Sequence, residues 1–133
     1  MIEINNLTTN PVAKEFLKKI AKKVLKGENK SEAEISIALV GEGRIMELNK
    51  KYRGKNRVTD VLAFGDNDGL GEIVICLREV KKNAKKYDTT FEKELSKVLI
   101  HGILHLLGYN HEKSEVQAKK LEEKENYYLE KLK

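Results

Sequence analysis

The sequence has few of the residues that staple or punctuate small proteins. It holds one cysteine, Cys76, and one proline, Pro11. A lone cysteine excludes an internal disulfide and agrees with a reducing compartment. On an apolar segment it reads as a small buried hydrophobe rather than a nucleophile. No run approaches the roughly 18 apolar residues that a membrane span needs. The opening Met1-Ile2-Glu3-Ile4-Asn5 has no basic segment followed by an apolar one, the order of a signal peptide. A cytoplasmic protein with no membrane partner is therefore expected. No repeat, low-complexity tract or linker breaks the 133 residues. One domain, 1–133, is expected, long enough to bury about two-thirds of the surface its unfolded chain exposes. Histidine is scarce as well: there are three, and all lie between positions 101 and 111.

Charge is abundant. Of the residues 35% are charged and 40% hydrophobic, with a formal net charge of +5, a balance that suits an acidic partner such as nucleic acid. One basic block, Lys50, Lys51, Arg53, Lys55 and Arg57, has Tyr52 interleaved. A second, Lys18, Lys19, Lys22, Lys23 and Lys26, alternates with Phe16, Leu17, Ile20, Ala21, Val24 and Leu25 at helical spacing and reads as the solvated face of an amphipathic helix.

Periodicity places the remaining elements. Met1–Asn5 alternates as a strand does. Thr8, Thr9 and Asn10 before Pro11 predict a helix start with proline in the first turn, and Gly27 its end. Strands are expected over 33–40, 61–64 and 70–77, the last two paired as a hairpin across Gly65-Asp66-Asn67-Asp68-Gly69. Helices are expected over 44–52, 78–87, 91–107 and 114–132. The sum is an α/β domain with a small mixed sheet of about four strands packed against about five helices.

The chemistry concentrates in His101-Gly102-Ile103-Leu104-His105-Leu106-Leu107-Gly108-Tyr109-Asn110-His111. His101 and His105, four apart, share one face of a helix and can share one metal ion. Gly108 can take the positive φ that stops a helix. His111 is then placed to fold back as a third nitrogen ligand. Three protein ligands and an open position characterise catalytic rather than structural zinc. The ordinary alternative is two core histidines and one loop histidine. The spacing equals that of the metzincin proteases, H-E-x-x-H-x-x-G-x-x-H, but their catalytic glutamate is replaced by Gly102, which can neither take nor give a proton.

The same stretch resembles the H-G-x-L-H-L-x-G-Y-D-H signature of the YbeY family, bacterial endoribonucleases of ribosomal RNA maturation. Two further blocks are similar to segments of that family, in its order. They are Leu48-Asn49-Lys50-Lys51-Tyr52-Arg53-Gly54-Lys55 followed by Thr59-Asp60-Val61-Leu62-Ala63-Phe64, and Gly71-Glu72-Ile73-Val74-Ile75-Cys76. The resemblance implies a zincin-like, metal-dependent hydrolase cutting single-stranded RNA. It further implies action on ribosomal RNA at the ribosome, in maturation of the 16S 3′ end and in ribosome quality control. No DNA partner is expected. Val58 and Gly65 stand where the family has prolines, Ala63 where it has serine and Asn110 where it more often has aspartate.

In this reading His101, His105 and His111 hold Zn²⁺, with nickel or another divalent metal as alternatives. Arg53, matching the family's Y-R motif, steadies the phosphodiester as the catalytic cation; otherwise it is a surface arginine. Asp60 either orients a ligand histidine or holds a turn. Tyr52 or Tyr109 stacks on an unpaired base, or packs. Two other functions compete: a ribosome-assembly factor with a structural metal, and a metallopeptidase whose base is Glu72 or another carboxylate.

Overall fold

A computed structural model describes residues 1–65, 70–109 and 114–132. Among the described residues nine elements follow one another: β1 (Ile2–Asn6), α1 (Lys14–Gly27), β2 (Glu34–Val40), α2 (Glu42–Arg53), β3 (Val61–Gly65), β4 (Leu70–Cys76), α3 (Leu77–Lys86), α4 (Phe91–Leu106) and α5 (Glu115–Lys131). The expected mixed sheet of four strands and five helices is present. Its order is β1-β2-β4-β3, with β1, β2 and β4 parallel and β3 antiparallel to β4 at the edge. The turn between β3 and β4 lies outside the described residues.

One face of the sheet carries the main core. Ile35, Ile37 and Leu39 of β2 and Ile73 and Ile75 of β4 meet Leu17, Ile20 and Val24 of α1, Val80 of α3 and Leu95, Leu99, Ile100, Ile103 and Leu104 of α4. These strands read as near-continuous apolar runs because both faces are covered over much of their length. The other face has a smaller cluster, Val40, Leu62, Val74 and Cys76 under Ile45 of α2. Cys76 is fully buried, and burial pushes its thiol up from the usual range, so the reading as a small hydrophobe holds.

Helix α4 is the hub: it packs against α1, α3, α5, β3 and β4. Its start is capped by Thr90, whose hydroxyl accepts the Lys93 N–H at 3.1 Å, and Ser114 caps α5 in the same way through Gln117 N–H. The lysines of α1 sit opposite its buried stripe of Leu17, Ile20, Ala21, Val24 and Leu25, as its amphipathic pattern requires. One boundary differs from expectation. Helix α1 begins at Lys14 rather than beside Pro11. Asn6 accepts from Thr8 N–H (3.0 Å) and Thr8 hydroxyl (2.7 Å) and donates to Asn10 C=O at 2.7 Å. These local side-chain bonds hold a turn through the residues that read as a helix start.

Candidate metal centre and basic cleft

His101 and His105 project from successive turns of α4, ring centres 5.8 Å apart and inclined by 41°. Helix α4 commits Leu99, Ile100, Ile103 and Leu104 to the core, which turns positions 101 and 105 toward a cleft and leaves both partly exposed. Gly102, between them, is buried against the sheet. A Cβ there would come 3.2 Å from Cγ2 of both Ile73 and Val61. The glycine is thus more than a missing glutamate. It lets the histidine helix close on β3 and β4, and a side chain at 102 would enter that contact.

The Nδ1 of His101 is hydrogen-bonded to the carboxylate of Glu125 on α5. In a neutral imidazole, a proton on Nδ1 held by a carboxylate puts the lone pair on Nε2, the arrangement common to metal-ligating histidines. Glu125 lies 24 residues from His101 in a helix dense with charge, and no local pattern singled it out. Only the docking of α5 on α4 makes it part of the site.

The end of α4 is a Schellman turn. Tyr109 N–H reaches Leu104 C=O and Gly108 N–H reaches His105 C=O, each at 3.1 Å, and Gly108 takes φ +104°. Tyr109 then points toward the end of α1, donating its hydroxyl to Glu28 at 2.6 Å. Tyr128 and Lys124 of α5 donate to the same carboxylate, Lys124 at 3.1 Å. Burial works to raise the Glu28 pKa, but the three donors outweigh it and hold the carboxyl below its ordinary value. The bond to Glu28, helped by burial, pushes the Tyr109 phenol up to about 12. Tyr109 is therefore a packing and tethering residue. His111 and Asn110 lie outside the described residues. Among the described residues no three His, Cys, Asp or Glu side chains are grouped closely enough to hold an ion.

The opposite wall comes from the second motif block. Helix α2 ends at Arg53, and Gly54 turns the chain in the left-handed region, φ +68°. Asn49, almost fully buried, donates its side-chain amide to Arg57 C=O at 3.0 Å and so pins the basic loop to the helix. Asp60 C=O accepts the Cys76 N–H at 2.8 Å, registering the loop's end on β4. Arg53 donates to Ala63 C=O at 2.8 Å, and its guanidinium carbon lies 5.6 Å from the centre of the Phe64 ring. Between these walls is a cleft of about 290 Å³ that brings Arg53, Lys55, Arg57 and Asp60 to His101 and His105. Glu72 is elsewhere. It shares a groove with Val74 and Phe64 beside α2, on the sheet face away from α4.

A sequence model of the family described as Endoribonuclease YbeY matches residues 3–133. The chain belongs to the YbeY family. A relative from Thermotoga maritima named Endoribonuclease YbeY is 43% identical over 121 residues, covering 90% of this chain and 77% of its own length. Another of that name, from Thermodesulfovibrio yellowstonii, is 48% identical over 106 residues, covering 74% and 67%. A solution structure of a Thermotoga maritima protein superposes with a TM-score of 0.71 at 39% identity, over 98% of this chain and 87% of that one. The blocks carrying the YbeY resemblance thus come from far apart in sequence to face one another. Asn49, beside the YbeY-like Tyr52-Arg53 pair, is the buried residue that holds the basic loop in place.

Proposed function

We propose that this chain is a metal-dependent endoribonuclease of single-stranded RNA, acting in the cytoplasm on ribosomal RNA at the ribosome. The observation that carries the reading is the shared cleft, where two imidazoles on one helix face meet Arg53, Lys55 and Arg57. The relatives named as endoribonucleases support the same conclusion.

The donor set suits a borderline-soft divalent ion. His101 has its Nδ1 on a carboxylate, and His105 sits one turn away. His101, His105 and His111 would hold Zn²⁺, or nickel in its place. When bound, the ion acts as a Lewis acid on phosphoryl oxygen and lowers the pKa of water. The chain's own residues do the rest. Glu125 fixes the tautomer and orientation of His101. Arg53 is held at Ala63 C=O by one of its five N–H donors, so its fork meets a phosphodiester without first being ordered. Lys55 and Arg57, exposed on the loop, attract the RNA backbone without reading sequence. The peptidase alternative has little support, since Gly102 has no room for a carboxylate and Glu72 lies across the sheet.

The test is cleavage of a labelled single-stranded RNA by wild type and His105→Ala, with and without a chelator. Cleavage by wild type alone, abolished by chelation and restored by zinc, is expected. No cleavage by a folded, zinc-loaded wild type on free RNA or on ribosomal subunits would refute the nuclease reading and favour an assembly factor.

A further inference from the structure

The sheet face turned away from α4 is only half covered. Helix α2 lays Ile45 and Leu48 over Val40, Val74 and Leu62. The rest is a groove of about 550 Å³ whose walls include Tyr52, Phe64, Ala38, Val74 and Glu72. Tyr52 and Phe64 form its aromatic side, ring centres 5.2 Å apart and tilted by 59°. Tyr52 remains 56% exposed, so much of its ring is left to another group. Lys51 Nζ lies 5.2 Å from the Tyr52 ring centre. Arg44, about two turns before Tyr52 on α2, also lines the groove and is paired with Glu47 at 3.4 Å.

This groove adjoins the cleft. Strand β3 is the sheet edge, and its side chains alternate between faces. Val61 and Ala63 line the histidine cleft, while Phe64 lines the groove. Arg53 stands at the join, bonded to Ala63 C=O and packed beside the Phe64 ring. A strand of RNA whose phosphate rests on Arg53 therefore has the catalytic cleft on one side of β3 and an aromatic groove on the other.

We propose that the groove is a subsite for one unpaired base next to the cleaved phosphodiester, stacked on Tyr52 and read by Glu72. The proposal rests on the endoribonuclease reading above. Every base has a π-face, so Tyr52 contributes affinity without choosing among bases. The choice falls to Glu72, exposed in the groove. An ionised carboxylate only accepts hydrogen bonds. Guanine offers two adjacent N–H groups on its Watson–Crick edge, which match two carboxylate oxygens. Uracil offers one N–H flanked by two carbonyl oxygens that a carboxylate repels. Guanine is therefore favoured over uracil in this subsite.

The experiment uses the zinc-loaded full chain and a pool of unpaired RNAs randomised around the cut. Wild type is expected to enrich guanine over uracil by roughly tenfold at one position beside the cut, and Glu72→Gln to erase that preference. Tyr52→Leu should raise KM by roughly tenfold for all four bases, the size of one lost base–aromatic stack, and Tyr52→Phe should restore it. Tyr127→Leu, an exposed tyrosine on α5, should leave the profile unchanged. Quenching of 2-aminopurine placed in the RNA, read on mixing, reports stacking whether or not the strand is cut. Quenching that Tyr52→Leu abolishes, in a protein that cuts nothing, would keep the subsite and discard the nuclease. Cleavage with an unchanged KM in Tyr52→Leu and an unchanged base profile in Glu72→Gln would overturn the subsite and leave the nuclease standing. So would variants that cut free RNA normally but no longer bind ribosomal subunits, since the groove would then receive protein. Should Tyr52→Leu fail to fold, Glu72→Gln carries the test alone.

Discussion

Replacing Gly102 by alanine sets two known effects against each other. In a helix, alanine is favoured over glycine by about 1 kcal/mol. Here the new methyl would stand 3.2 Å from Ile73 Cγ2 and from Val61 Cγ2, a few tenths of an ångström too close. Val61 is partly exposed on the edge strand and can yield. Ile73 is fully buried in β4, paired on both sides by β2 and β3, and cannot. Inserting a methyl into such packing costs about 1–3 kcal/mol. The net expectation is a loss of about 1 kcal/mol, or about 4 °C in Tm for a domain of this size. Urea unfolding of the purified variant, with the m-value checked for constancy, measures it. A Gly102→Ala protein more stable than wild type by about 1 kcal/mol would refute the argument, because helix propensity would then be acting alone. Gly102→Glu, which rebuilds the full protease motif, should lose more stability than the alanine variant and gain no peptidase activity.

Other expectations concern the two walls of the cleft and the tether behind it. Arg53→Ala should lower the cleavage rate by roughly 100-fold, as losing one oriented charge does, while Tm stays nearly unchanged; the Lys55→Ala variant should instead flatten the salt dependence of RNA binding by about 0.7 in log–log slope. Glu125→Gln should weaken zinc binding by about 10- to 100-fold in calorimetry, and unaltered affinity would show that the carboxylate does not orient His101. Glu28 has a depressed pKa in the folded state, so its contribution is present above the unfolded value of about 4.3 and lost as pH falls below it. Tyr109, raised to about 12, contributes below its unfolded value of about 10 and loses that contribution between pH 10 and 12. Tm measured against pH should therefore fall at both ends in wild type and less steeply at both in Glu28→Gln; in Tyr109→Phe the alkaline fall should shrink most and the acid fall only in part, because Glu28 keeps two of its three donors.

Much of the fold was legible in the sequence, because the elements that bury most also repeat most clearly. The stripe of α1, the apolar strands β2 and β4 and the long helix α4 each carry a period that backbone geometry forces on a half-buried segment. The start of α1 was not, since Asn6, Thr8 and Asn10 bond among themselves and hold the chain in a turn that their residue types alone do not distinguish from a cap. At the site, the spacing of His101 and His105 was readable because a helix converts four residues into one face. The partnership of His101 with Glu125, and of Tyr109 with Glu28, was not readable. Both join elements far apart in the chain, and nothing local in α5 sets Glu125 apart from the other glutamates around it. Gly102 was read as an absent base; its packing role required knowing which side of α4 meets β3.

The position of α4 bears on how this protein fails when heated. The helix that presents His101 and His105 is also the one on which three other helices and two strands converge. Parts of a protein that open first have few buried apolar contacts, and α4 has the most to lose. That half of the site has no low-temperature route to disorder, so the imidazole pair persists until the whole domain melts. Loss of the imidazole pair by heat and loss of fold are then one event, and a destabilising change anywhere in the core lowers the temperature to which that pair survives.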